Sequence, residues 1–302
     1  MDLTFLGTGG SVPTTKRNTV SIALRLGPEV LMFDCGEGTQ RQLMASSVSF
    51  MKITRIFITH HHGDHFLGLP GLIQSMNFYG REAPLDIYGP DGTREIVKTV
   101  LGLGIFDRMY EVEGHDLAPG DVVVGEGYKV VAIKVEHTIP ALGYVFQEDD
   151  RPGRFDPERA KALGVKEGPS FSRLVEGHPV KVGGSTVTPD MVMGPARKGL
   201  RLVYSGDTAP CSELKAACKG ADVLVHEATV ASDLEAKARE FGHSTARDAA
   251  LLARDSLVAT LYLVHISGRY DEVGALLDEA RGIFQNTTIP NDLDSFVLRT
   301  DR

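Results

Sequence analysis

The segment His-His-His-Gly-Asp-His at residues 60–65 constrains this chain most strongly, because it gathers four histidines and an aspartate in six positions. It follows the apolar run RIFIT at 55–59, which predicts a buried strand. In extended backbone, residues two apart project to the same side, so His60, His62 and Asp64 are expected to share a side. Imidazole and carboxylate groups are natural ligands of Zn²⁺ and similar divalent ions. The motif therefore predicts a metal site directly behind a strand.

The other residues of this motif have different expected roles. Gly63 lets the backbone bend tightly between ligands, and His65 is expected near the turn into the following helix. His61 projects to the opposite side of an extended segment, so we expect it to lie outside the ligand set. The motif alone supplies too few ligands to close two metal sites, so further ligands must come from elsewhere in the chain.

Short apolar runs alternate with helix-like segments along the chain, a pattern typical of an α/β protein whose sheets are covered by helices. The runs that predict strands are LTFL (3–6), VSIALRL (20–26), VLMF (30–33), RIFIT (55–59), LDIYG (85–89), KVVAIKVEH (129–137), RLVYSGD (201–207), DVLVHE (222–227) and TLYLVH (260–265). The segments that predict helices are LGLPGLIQSMNF, DGTREIVKTVL, SELKAACKG, STARDAALLARDS and DEVGALLDEARGIF.

Several predicted strands end on a polar side chain that can do chemistry. His137, Asp207 and His265 each come at the end of an apolar run, as do Asp34 and Glu227. Strand ends and the loops beyond them are where α/β folds collect their sites. We therefore expect His137, Asp207 and His265 to supply the ligands that the histidine motif lacks.

Composition excludes several classes of protein. The 302 residues carry a formal net charge of −8, which argues against a protein that coats nucleic acid over its whole surface. No apolar run approaches the ~18 residues of a membrane span, and no secretory signal is apparent at the start of the sequence. Three scattered cysteines cannot form a disulfide framework, so we expect a reducing, cytoplasmic location and no membrane partner.

Residues 148–199 interrupt the alternation of strands and helices. They are rich in glycine, proline and charge, and they predict an inserted flexible arm at 149–196 rather than a second core. Within 151–181 seven Lys/Arg face four Asp/Glu, so this part carries +3 and the other 271 residues carry −11. On charge alone, a solvated surface excursion and a nucleic-acid contact remain open.

The order of motifs resembles a known superfamily. An H-x-H-x-D-H motif after a strand, a later histidine, an aspartate in SGDT and a final histidine are similar to the metallo-β-lactamase superfamily. The stretches HEAT (226–229), HSTA (243–246) and HISGRY (265–270) resemble the tRNase Z family, endoribonucleases that process the 3′ ends of tRNA. The resemblance extends over most of the chain, from GTGGSVPTTKRN to HISGRY, and implies one metallo-β-lactamase-type domain over 1–302. Its fold would be a four-layer αββα sandwich with a protruding exosite arm.

The resemblance also implies two Zn²⁺ ions per subunit and a set of ligands for each. Asp34 would support the ligands without binding metal, as carboxylates outside the first shell do. Zinc is not distinguished from manganese or iron by these ligand types, because all three metals accept them. The implied ligands are His60, His62 and His137 for one ion, Asp64, His65 and His265 for the other, and Asp207 as the bridge between them.

For the reaction, the resemblance assigns His243 to the catalytic surroundings with Glu227 as its partner. Two metal ions roughly 3.5–4 Å apart can clamp a phosphodiester and lower the pKa of water from 15.7 to about 7, so a hydroxide exists at neutral pH. Asp64 is the candidate general base or orienter of that hydroxide. His243 would stabilise the transition state or protonate the leaving oxygen, and Glu227 would hold the imidazole in the needed tautomer.

The resemblance further implies contacts to RNA. The PTTKRN loop at 13–18 is similar to the family's PxKxRN loop, although Thr15 occupies the family's lysine position and Lys16 is displaced by one. We expect the substrate-binding residues to be Lys16, Arg17, Asn18, Ser267 and Arg269. The arm would grip precursor tRNA at a distance from the metals, and a homodimer is expected because one subunit's arm commonly serves the other's site.

The implied activity is that of a zinc-dependent endoribonuclease that removes the 3′ trailer from precursor tRNA. A metal-activated hydroxide would cleave after the discriminator nucleotide, leaving a 3′-hydroxyl on the tRNA and a 5′-phosphate on the trailer. Two alternatives stay open: a small-molecule hydrolase on the same fold, such as a phosphodiesterase, arylsulfatase or thioesterase, and an RNA-binding scaffold that has lost its metals. The β-CASP nucleases would need a much larger inserted domain than 302 residues allow.

Overall fold

The computed structural model describes residues 1–299, in which strands and helices alternate. The strands are β1 (Asp2–Gly7), β2 (Gly9–Gly10), β3 (Ser21–Leu26), β4 (Glu29–Phe33), β5 (Ile53–Phe57), β6 (Leu85–Gly89), β7 (Val112–Asp116), β8 (Val122–Gly125), β9 (Tyr128–Lys134), β10 (Leu142–Glu148), β11 (Val180–Val182), β12 (Ser185–Val187), β13 (Arg201–Tyr204), β14 (Val223–Glu227), β15 (Thr260–Val264), β16 (Ile266–Ser267), β17 (Thr287–Thr288) and β18 (Ser295–Val297). The helices are α1 (Thr39–Ala45), α2 (Gly63–Phe66), α3 (Leu69–Phe78), α4 (Thr93–Leu101), α5 (Pro157–Ala162), α6 (Pro169–Val175), α7 (Ser212–Cys218), α8 (Glu235–Glu240), α9 (Ala246–Asp255) and α10 (Gly274–Arg281).

Two seven-stranded sheets form the body of the chain. The first has the order β18-β1-β3-β4-β5-β6-β7, and the second has the order β17-β15-β14-β13-β10-β9-β8. Strands β4 to β7 run parallel in the first sheet, and β13, β14, β15 and β17 run parallel in the second. Parallel neighbours need crossover connections, which the helices between them supply.

Each sheet has a helix layer on one face and the other sheet on its second face. The first sheet packs its buried aliphatic residues against α1, α3 and α4, and the second packs against α7, α9 and α10. Aromatic rings fill the space between the sheets at centroid distances of 5.2 Å for Phe5–Tyr262, 6.0 Å for Phe33–Tyr204 and 5.3 Å for Phe57–Tyr144. The α/β class and the four-layer αββα order predicted from the sequence are therefore confirmed.

The carboxyl ends of the parallel strands bring the polar strand-end residues to one edge of this sandwich. Asp34 follows β4, and His60 lies three residues beyond β5. In the second sheet, Asp207 follows β13 by three residues, Glu227 ends β14, and His265 directly follows β15. The site therefore combines loops from both sheets, as α/β folds do at strand ends.

Residues 148–200 form a separate compact unit, and residues 1–147 with 201–299 form the other. The two ends of the unit at 148–200 pair with each other through isolated antiparallel β-bridges, Arg151 with Arg197 and Phe155 with Met193. Helices α5 and α6 and the β11–β12 hairpin enclose a small buried cluster of Ala160, Val165, Leu174, Val187 and Val192. This differs from the sequence analysis, which expected no second core. Its apolar residues are too widely spaced for a periodic pattern, and the predicted bounds of 149–196 are slightly narrower than those of the unit.

Among residues 1–299, no helix combines the length and the apolarity that are needed to cross a lipid bilayer. The prediction of a single domain with a flexible, tRNA-binding arm stays a prediction.

Candidate metal centre

The histidine motif folds as a strand, a short loop and one helical turn. The loop places His60 in the buried interior, and His62 is the N-cap residue of α2 in extended conformation. Asp64 and His65 lie within the single turn of α2. The change from extended to helical backbone at Gly63 lets residues from both sides of the bend converge on one point.

The first group of converging atoms consists of three imidazole nitrogens. His60 Nε2 lies 3.0 Å from His62 Nδ1, and the same His62 atom lies 3.2 Å from Nε2 of His137. Since His137 comes from the loop after β9 of the second sheet, this group joins both halves of the sandwich. A cation between the three rings would have a tripod of neutral nitrogen ligands.

The second group consists of Asp64, His65 and His265. Asp64 Oδ2 lies 3.2 Å from His265 Nε2 and 3.6 Å from His65 Nε2. The donor atoms of all three residues lie within 4.8 Å of one another. This group therefore has the ligand types and the spacing that suit a divalent cation.

Asp207 lies between the two groups. Its Oδ2 atom lies 3.2 Å from His265 Nε2, 3.4 Å from His65 Nε2 and 3.8 Å from His60 Nε2. The structure thus brings together all seven residues that the sequence analysis named as ligands, with Asp207 within reach of both groups.

Each of four ligand imidazoles has its outer nitrogen bound by a protein group, which leaves the inner nitrogen facing the centre. These contacts fix the ring orientation and the tautomer, as they do around many protein metal sites. The outer contacts are His60 Nδ1 to Thr59 Oγ1 at 3.1 Å, His65 Nδ1 to Asp34 Oδ2 at 2.9 Å, His137 Nδ1 to the Gly242 carbonyl at 2.9 Å and His265 Nδ1 to Thr229 Oγ1 at 2.9 Å.

Asp34 is hydrogen-bonded to several residues around the centre. It has a φ of +57°, and its carboxylate is fully buried. Oδ1 accepts hydrogen bonds from the backbone N–H of Thr59 at 2.7 Å and its hydroxyl at 3.0 Å, and Oδ2 accepts one from Tyr204 Oη at 2.6 Å. With its oxygens engaged in this way, Asp34 is placed to orient the ring of His65, and its supporting role stays a prediction.

Two buried polar atoms point to a bound cation. His65 Nε2 and Asp207 Oδ1 are buried and have no hydrogen-bond partner among the described residues. Buried polar atoms of native proteins are normally paired, so unpaired ones call for an explanation. Both belong to residues of the converging groups, where a divalent ion would satisfy them. The residues therefore fit a metal ion, which would also balance the negative charges of the Asp64 and Asp207 carboxylates.

The protonation states of these residues also suit a bound metal ion. Burial lowers the pKa of His60 well below its ordinary value and also lowers the pKa of His62, so both rings are neutral and able to bind metal. Burial acts to raise the pKa of Asp207, but the neighbouring His265 and His65 outweigh it and hold that pKa well below its usual range. Asp207 is therefore ionised, as a ligand must be.

Glu227 and His243 form a second interacting pair beside the metal groups. His243 Nδ1 lies 2.9 Å from Glu227 Oε1, and Thr229 Oγ1 donates to Oε2 of the same carboxylate at 2.7 Å. Burial acts to lower the pKa of His243, but the hydrogen bond and charge of Glu227 outweigh it and raise that pKa to about 9. With Nδ1 held by Glu227, the opposite ring nitrogen of His243 is the one available to the cavity.

Two glycines permit the close approach of backbone to ligand. A Cβ at Gly10 would lie 2.5 Å from the ring of His265, and a Cβ at Gly242 would lie 3.0 Å from Nδ1 of His137. Next to Gly10, the backbone N–H of Ser11, a residue with a φ of +66°, donates to Asp64 Oδ2 at 2.9 Å. The glycine-rich turn after β1 therefore packs directly against the second ligand group.

Comparison with known proteins gives these residues a context. Family models match two parts of the chain: one described as Anti-Pycsar protein Apyc1 over residues 1–113, and one described as Beta-lactamase superfamily domain over residues 175–266. The ribonuclease Z of Methanosarcina acetivorans is 49% identical over 292 residues, which cover 96% of each chain. The ribonuclease Z of Archaeoglobus fulgidus is 40% identical and covers 99% of this chain and 98% of its own. The chain belongs to the ribonuclease Z family.

Solved structures agree with this family. Human tRNase Z, short form, superposes with a TM-score of 0.73 at 28% identity, covering 99% of this chain and 100% of the human one. YhfI from Bacillus subtilis, a metallo-β-lactamase fold protein, has a TM-score of 0.70 at 18% identity and supports the fold alone. The metallo-β-lactamase fold, the family and the prediction of an enzyme of the ribonuclease class are therefore confirmed. The roles of individual site residues stay predictions.

The residues predicted to bind RNA are largely engaged within the chain. Lys16 Nζ donates to the Asp271 carbonyl at 2.9 Å, although its side chain remains exposed. Arg17 Nη1 donates to Thr8 Oγ1 at 2.6 Å and to the Pro290 carbonyl at 2.8 Å. The loop is therefore held against the body of its unit by its own basic residues.

The other residues predicted to contact RNA differ in their exposure and in their hydrogen bonds to the rest of the chain. Asn18 Nδ2 donates to the Glu37 carbonyl at 2.7 Å, which ties the end of the PTTKRN loop to the segment before α1. Ser267 is half-buried in β16, and its hydroxyl accepts a hydrogen bond from Nε of the exposed Arg269 at 3.3 Å. Lys16 and Arg269 are thus the residues of this set whose charges face solvent.

Some residues around the centre were not singled out by the sequence analysis. Thr229, Tyr204 and Gly242 hold Glu227, Asp34 and His137 in place. Thr229 stands inside the quoted HEAT stretch and Gly242 directly precedes HSTA, so the motifs contained a signal for these two. Tyr204 had no local signal, because its contact with Asp34 spans 170 positions. His61 lies away from the ligands, with Nε2 2.9 Å from Thr93 Oγ1.

Proposed function

We propose that this protein is a metal-dependent endoribonuclease that removes the 3′ trailer from precursor tRNA. The observation that carries the proposal is the convergence of the predicted ligands about Asp207, in a chain of the ribonuclease Z family. Cleavage after the discriminator nucleotide would leave a 3′-hydroxyl on the tRNA and a 5′-phosphate on the trailer.

Zinc is the proposed metal, with two ions per chain. His60, His62 and His137 would hold one, Asp64, His65 and His265 the other, and Asp207 would contact both. Two such ions supply neutralisation of the phosphodiester charge and a lowered pKa of water. The all-nitrogen-and-oxygen ligand set suits zinc and also accepts Mn²⁺ or other divalent ions, so the metal must be measured.

Asp64 is proposed to accept the proton of the attacking water. The Ser11 N–H holds Oδ2 of Asp64 at 2.9 Å, so the carboxylate has a fixed direction at the cavity wall. A positioned acceptor contributes to the rate because it needs no reorganisation as the water attacks phosphorus. As the new P–O bond forms, the bond from phosphorus to the 3′ oxygen of the tRNA breaks.

His243 is proposed to give a proton to that departing 3′ oxygen. Its Nδ1 contact with Glu227 at 2.9 Å fixes the ring, and the residue lines the same cavity as Asp64. The proton transfer accounts for the 3′-hydroxyl of the product. Glu227 acts through His243 and serves as its positioning residue.

Binding of tRNA is proposed to involve the unit at 148–200. Lys166, Arg173 and Lys181 are exposed there and make no ion pair within residues 1–299. Phosphate contacts by such residues would reconcile RNA binding with a net charge of −8. Lys16 and Arg269 are proposed as additional phosphate contacts, and Arg17, Asn18 and Ser267 as residues that shape the loops carrying them. A homodimer and a cytoplasmic location complete the proposal.

The test is to incubate a 3′-extended precursor tRNA with the purified protein, with Zn²⁺ or Mn²⁺ and with a chelator. A metal-dependent cut mapped directly after the discriminator supports the proposal. Hydrolysis of bis(p-nitrophenyl) phosphate without cleavage of the tRNA would replace it with a small-molecule phosphodiesterase. Light scattering of the same preparation measures whether the mass corresponds to two chains.

A further inference from the structure

The cavity that contains the metal ligands also has an apolar rim. It has a volume of about 490 Å³ and is lined by Asp64, His62 and His243 together with Val12, Leu67 and Phe241. The side chains of Val12, Leu67 and Phe241 are exposed by 62%, 52% and 50%. Single exposed apolar residues need no explanation, but three around one polar cavity mark a place where a ligand is expected.

Phe241 stands out within this rim because it is an aromatic residue whose surface is half exposed at the cavity. Among residues 1–299 no other aromatic ring packs against it, and it lies outside the buried clusters of the sheets. Its backbone is nevertheless fixed: the N–H of Phe241 donates to the Lys237 carbonyl at 3.3 Å, and that of His243 to the Ala238 carbonyl at 2.8 Å. The ring is therefore carried on a rigid turn that ends at a catalytic candidate.

The same turn ties Phe241 to the metal ligands. The next residue, Gly242, has a φ of +69° and offers its carbonyl to Nδ1 of the ligand His137 at 2.9 Å. An aromatic face is thus held at a set position relative to the place where a phosphodiester would react. The only chemical group directly next to a phosphodiester in RNA that has a flat apolar face is a nucleobase.

We propose that Phe241 is a base-stacking subsite for a nucleotide that adjoins the scissile phosphate, with Val12 and Leu67 as its apolar border. This inference rests on the proposed function and adds a specificity element to it. Stacking of a base on an aromatic side chain tolerates every base, since each has a π-face. The subsite therefore fixes where the backbone is cut without reading its sequence.

The test measures binding separately from cleavage. Two 3′-extended tRNAs carry 2-aminopurine, one as the last tRNA nucleotide and one as the first trailer nucleotide. Each is titrated, in EDTA so that nothing is cleaved, with the wild type, Phe241→Ala, Phe241→Leu and Phe241→Trp. Phe78→Ala is the matched control, because Phe78 is 88% exposed at the end of α3 and lies outside the cavity lining.

At least one probe should be quenched by the wild type and by Phe241→Trp, but not by Phe241→Ala or Phe241→Leu. Loss of one stacked base should weaken binding by about tenfold or more, while Phe78→Ala binds as the wild type does. Phe241→Leu keeps the apolar volume, so it remains informative even where alanine disturbs the turn. Equal quenching and affinity for the wild type and both smaller variants would overturn the inference.

A parallel cleavage assay with metal separates this inference from the proposed function. If the wild type cuts the precursor but neither probe depends on Phe241, the stacking subsite alone is overturned. If the wild type fails to cut but the quenching still requires Phe241, the stacking contact stands as an RNA-binding contact and the cleavage proposal fails. If neither cleavage nor dependent quenching is seen, both are overturned.

Discussion

Individual side chains in the candidate metal centre are oriented by hydrogen bonds to the ring nitrogens and oxygens that face away from it. His65 shows this best, because Asp34 Oδ2 accepts the hydrogen bond of Nδ1–H, which leaves Nε2 buried without a partner among the described residues. Asp34 is itself held by Thr59 and Tyr204, so the direction of the imidazole is set before any ion binds. Such outer contacts raise affinity because the ligands lose little freedom on binding.

Replacement of Asp34 by Asn should therefore weaken metal binding without removing a ligand. Asparagine has one acceptor oxygen where Asp34 has two, so its NH₂ group must face a donor on Thr59, Tyr204 or His65, and Zn²⁺ affinity should fall by about 10–100-fold. Calorimetric titration of metal-free protein measures the change. Asp121→Asn is the matched control, since Asp121 also accepts a hydrogen bond, from the N–H of Ala118 at 2.8 Å, and belongs to none of the metal-binding groups found among residues 1–299. Unchanged affinity in Asp34→Asn would contradict the supporting role.

Glu227→Gln tests the second pair. The variant keeps the shape of the side chain but removes the charge that holds His243, so single-turnover cleavage of precursor tRNA should slow by about 10²-fold or more. Bound metal, measured by elemental analysis, should stay at the wild-type level because Glu227 is not in the proposed ligand set. The control is Glu240→Gln, an exposed residue three positions from His243. Equal rates for both variants would show that the contact between Glu227 and His243 does not contribute to cleavage.

At the scale of elements, a helix cap and a short strand pairing position residues of the site. Helix α9 begins with a capping box in which Thr245 accepts from the N–H of Asp248, and the N–H of Thr245 donates to Asp248 Oδ2 at 2.8 Å. This cap lies two residues after His243, so the start of α9 fixes the loop that carries the imidazole. The parallel pairing of β2 with β16 does the same for Gly10 and His265.

Thr245→Ala should destabilise the protein by about 1 kcal/mol, the usual cost of losing an N-cap side chain. Urea unfolding at pH 7 measures it. Thr99→Ala is the control, because Thr99 is an exposed threonine in the interior of α4 rather than at a cap. A loss no larger than that of Thr99→Ala would show that the box contributes little.

The same box predicts a dependence of stability on pH. Burial acts to raise the pKa of Asp248, but hydrogen bonds from Arg239 and Thr245 outweigh it and lower that pKa below its ordinary value. A lowered carboxyl pKa stabilises the fold above the unfolded value of about 3.9, and this contribution is lost as the pH falls through the folded value. Unfolding free energies between pH 5 and pH 3 should therefore decline less steeply in Thr245→Ala than in the wild type.

Gly10→Ala should disturb the second ligand group specifically. The new Cβ would meet the His265 ring at 2.5 Å, so the ring must move away from Asp64 and Asp207. We expect fewer bound ions per chain by elemental analysis and a nearly unchanged circular dichroism spectrum. Gly274→Ala is the control, because that glycine has open space around its Cβ position. Full metal content in Gly10→Ala would show that the close approach is not required.

At the scale of the whole molecule, charge is distributed unevenly over an acidic chain. The segment 151–181 carries +3 within a total of −8, and its free cations lie in a unit with its own small core. An electrostatic contact to a polyanion can therefore be made without a basic surface around the metal centre. Binding and chemistry are then separable by mutation.

Reversal of Lys166, Arg173 and Lys181 to glutamate should weaken precursor tRNA binding while hydrolysis of bis(p-nitrophenyl) phosphate continues. The slope of log affinity against log salt should fall by roughly 0.7–0.9 for each phosphate that the variant no longer neutralises. Reversal of Lys52, Lys129 and Lys219, which are exposed outside this unit, is the control. Equally weakened tRNA binding in both triple variants would point to net charge rather than to a local grip.

The strongest local patterns were read correctly from the sequence. The runs at 30–33, 85–89 and 260–265 correspond to strands β4, β6 and β15, and the TREIVKTVL segment is helix α4. Strands β7, β8 and β10 were missed, since the first two are partly exposed edge segments and the third lacks period-2 alternation. Helices α1, α5, α6 and α8 were also missed, because their six or seven residues are too few to show a helical period. The two- and three-residue strands β2, β11, β12, β16, β17 and β18 were missed for the same reason.

What the sequence determined by itself was chemical: the residue types of the candidate ligands, their place at strand ends and the family to which the chain belongs. These features can be predicted from the sequence alone because they depend on residue type and local spacing. Only the tertiary structure decided which atoms face each other, such as Tyr204 with Asp34, Gly242 with His137 and Phe241 with the cavity. Contacts between residues separated by about a hundred positions or more arise when the sheets pack together, and no local pattern records the distances that packing sets.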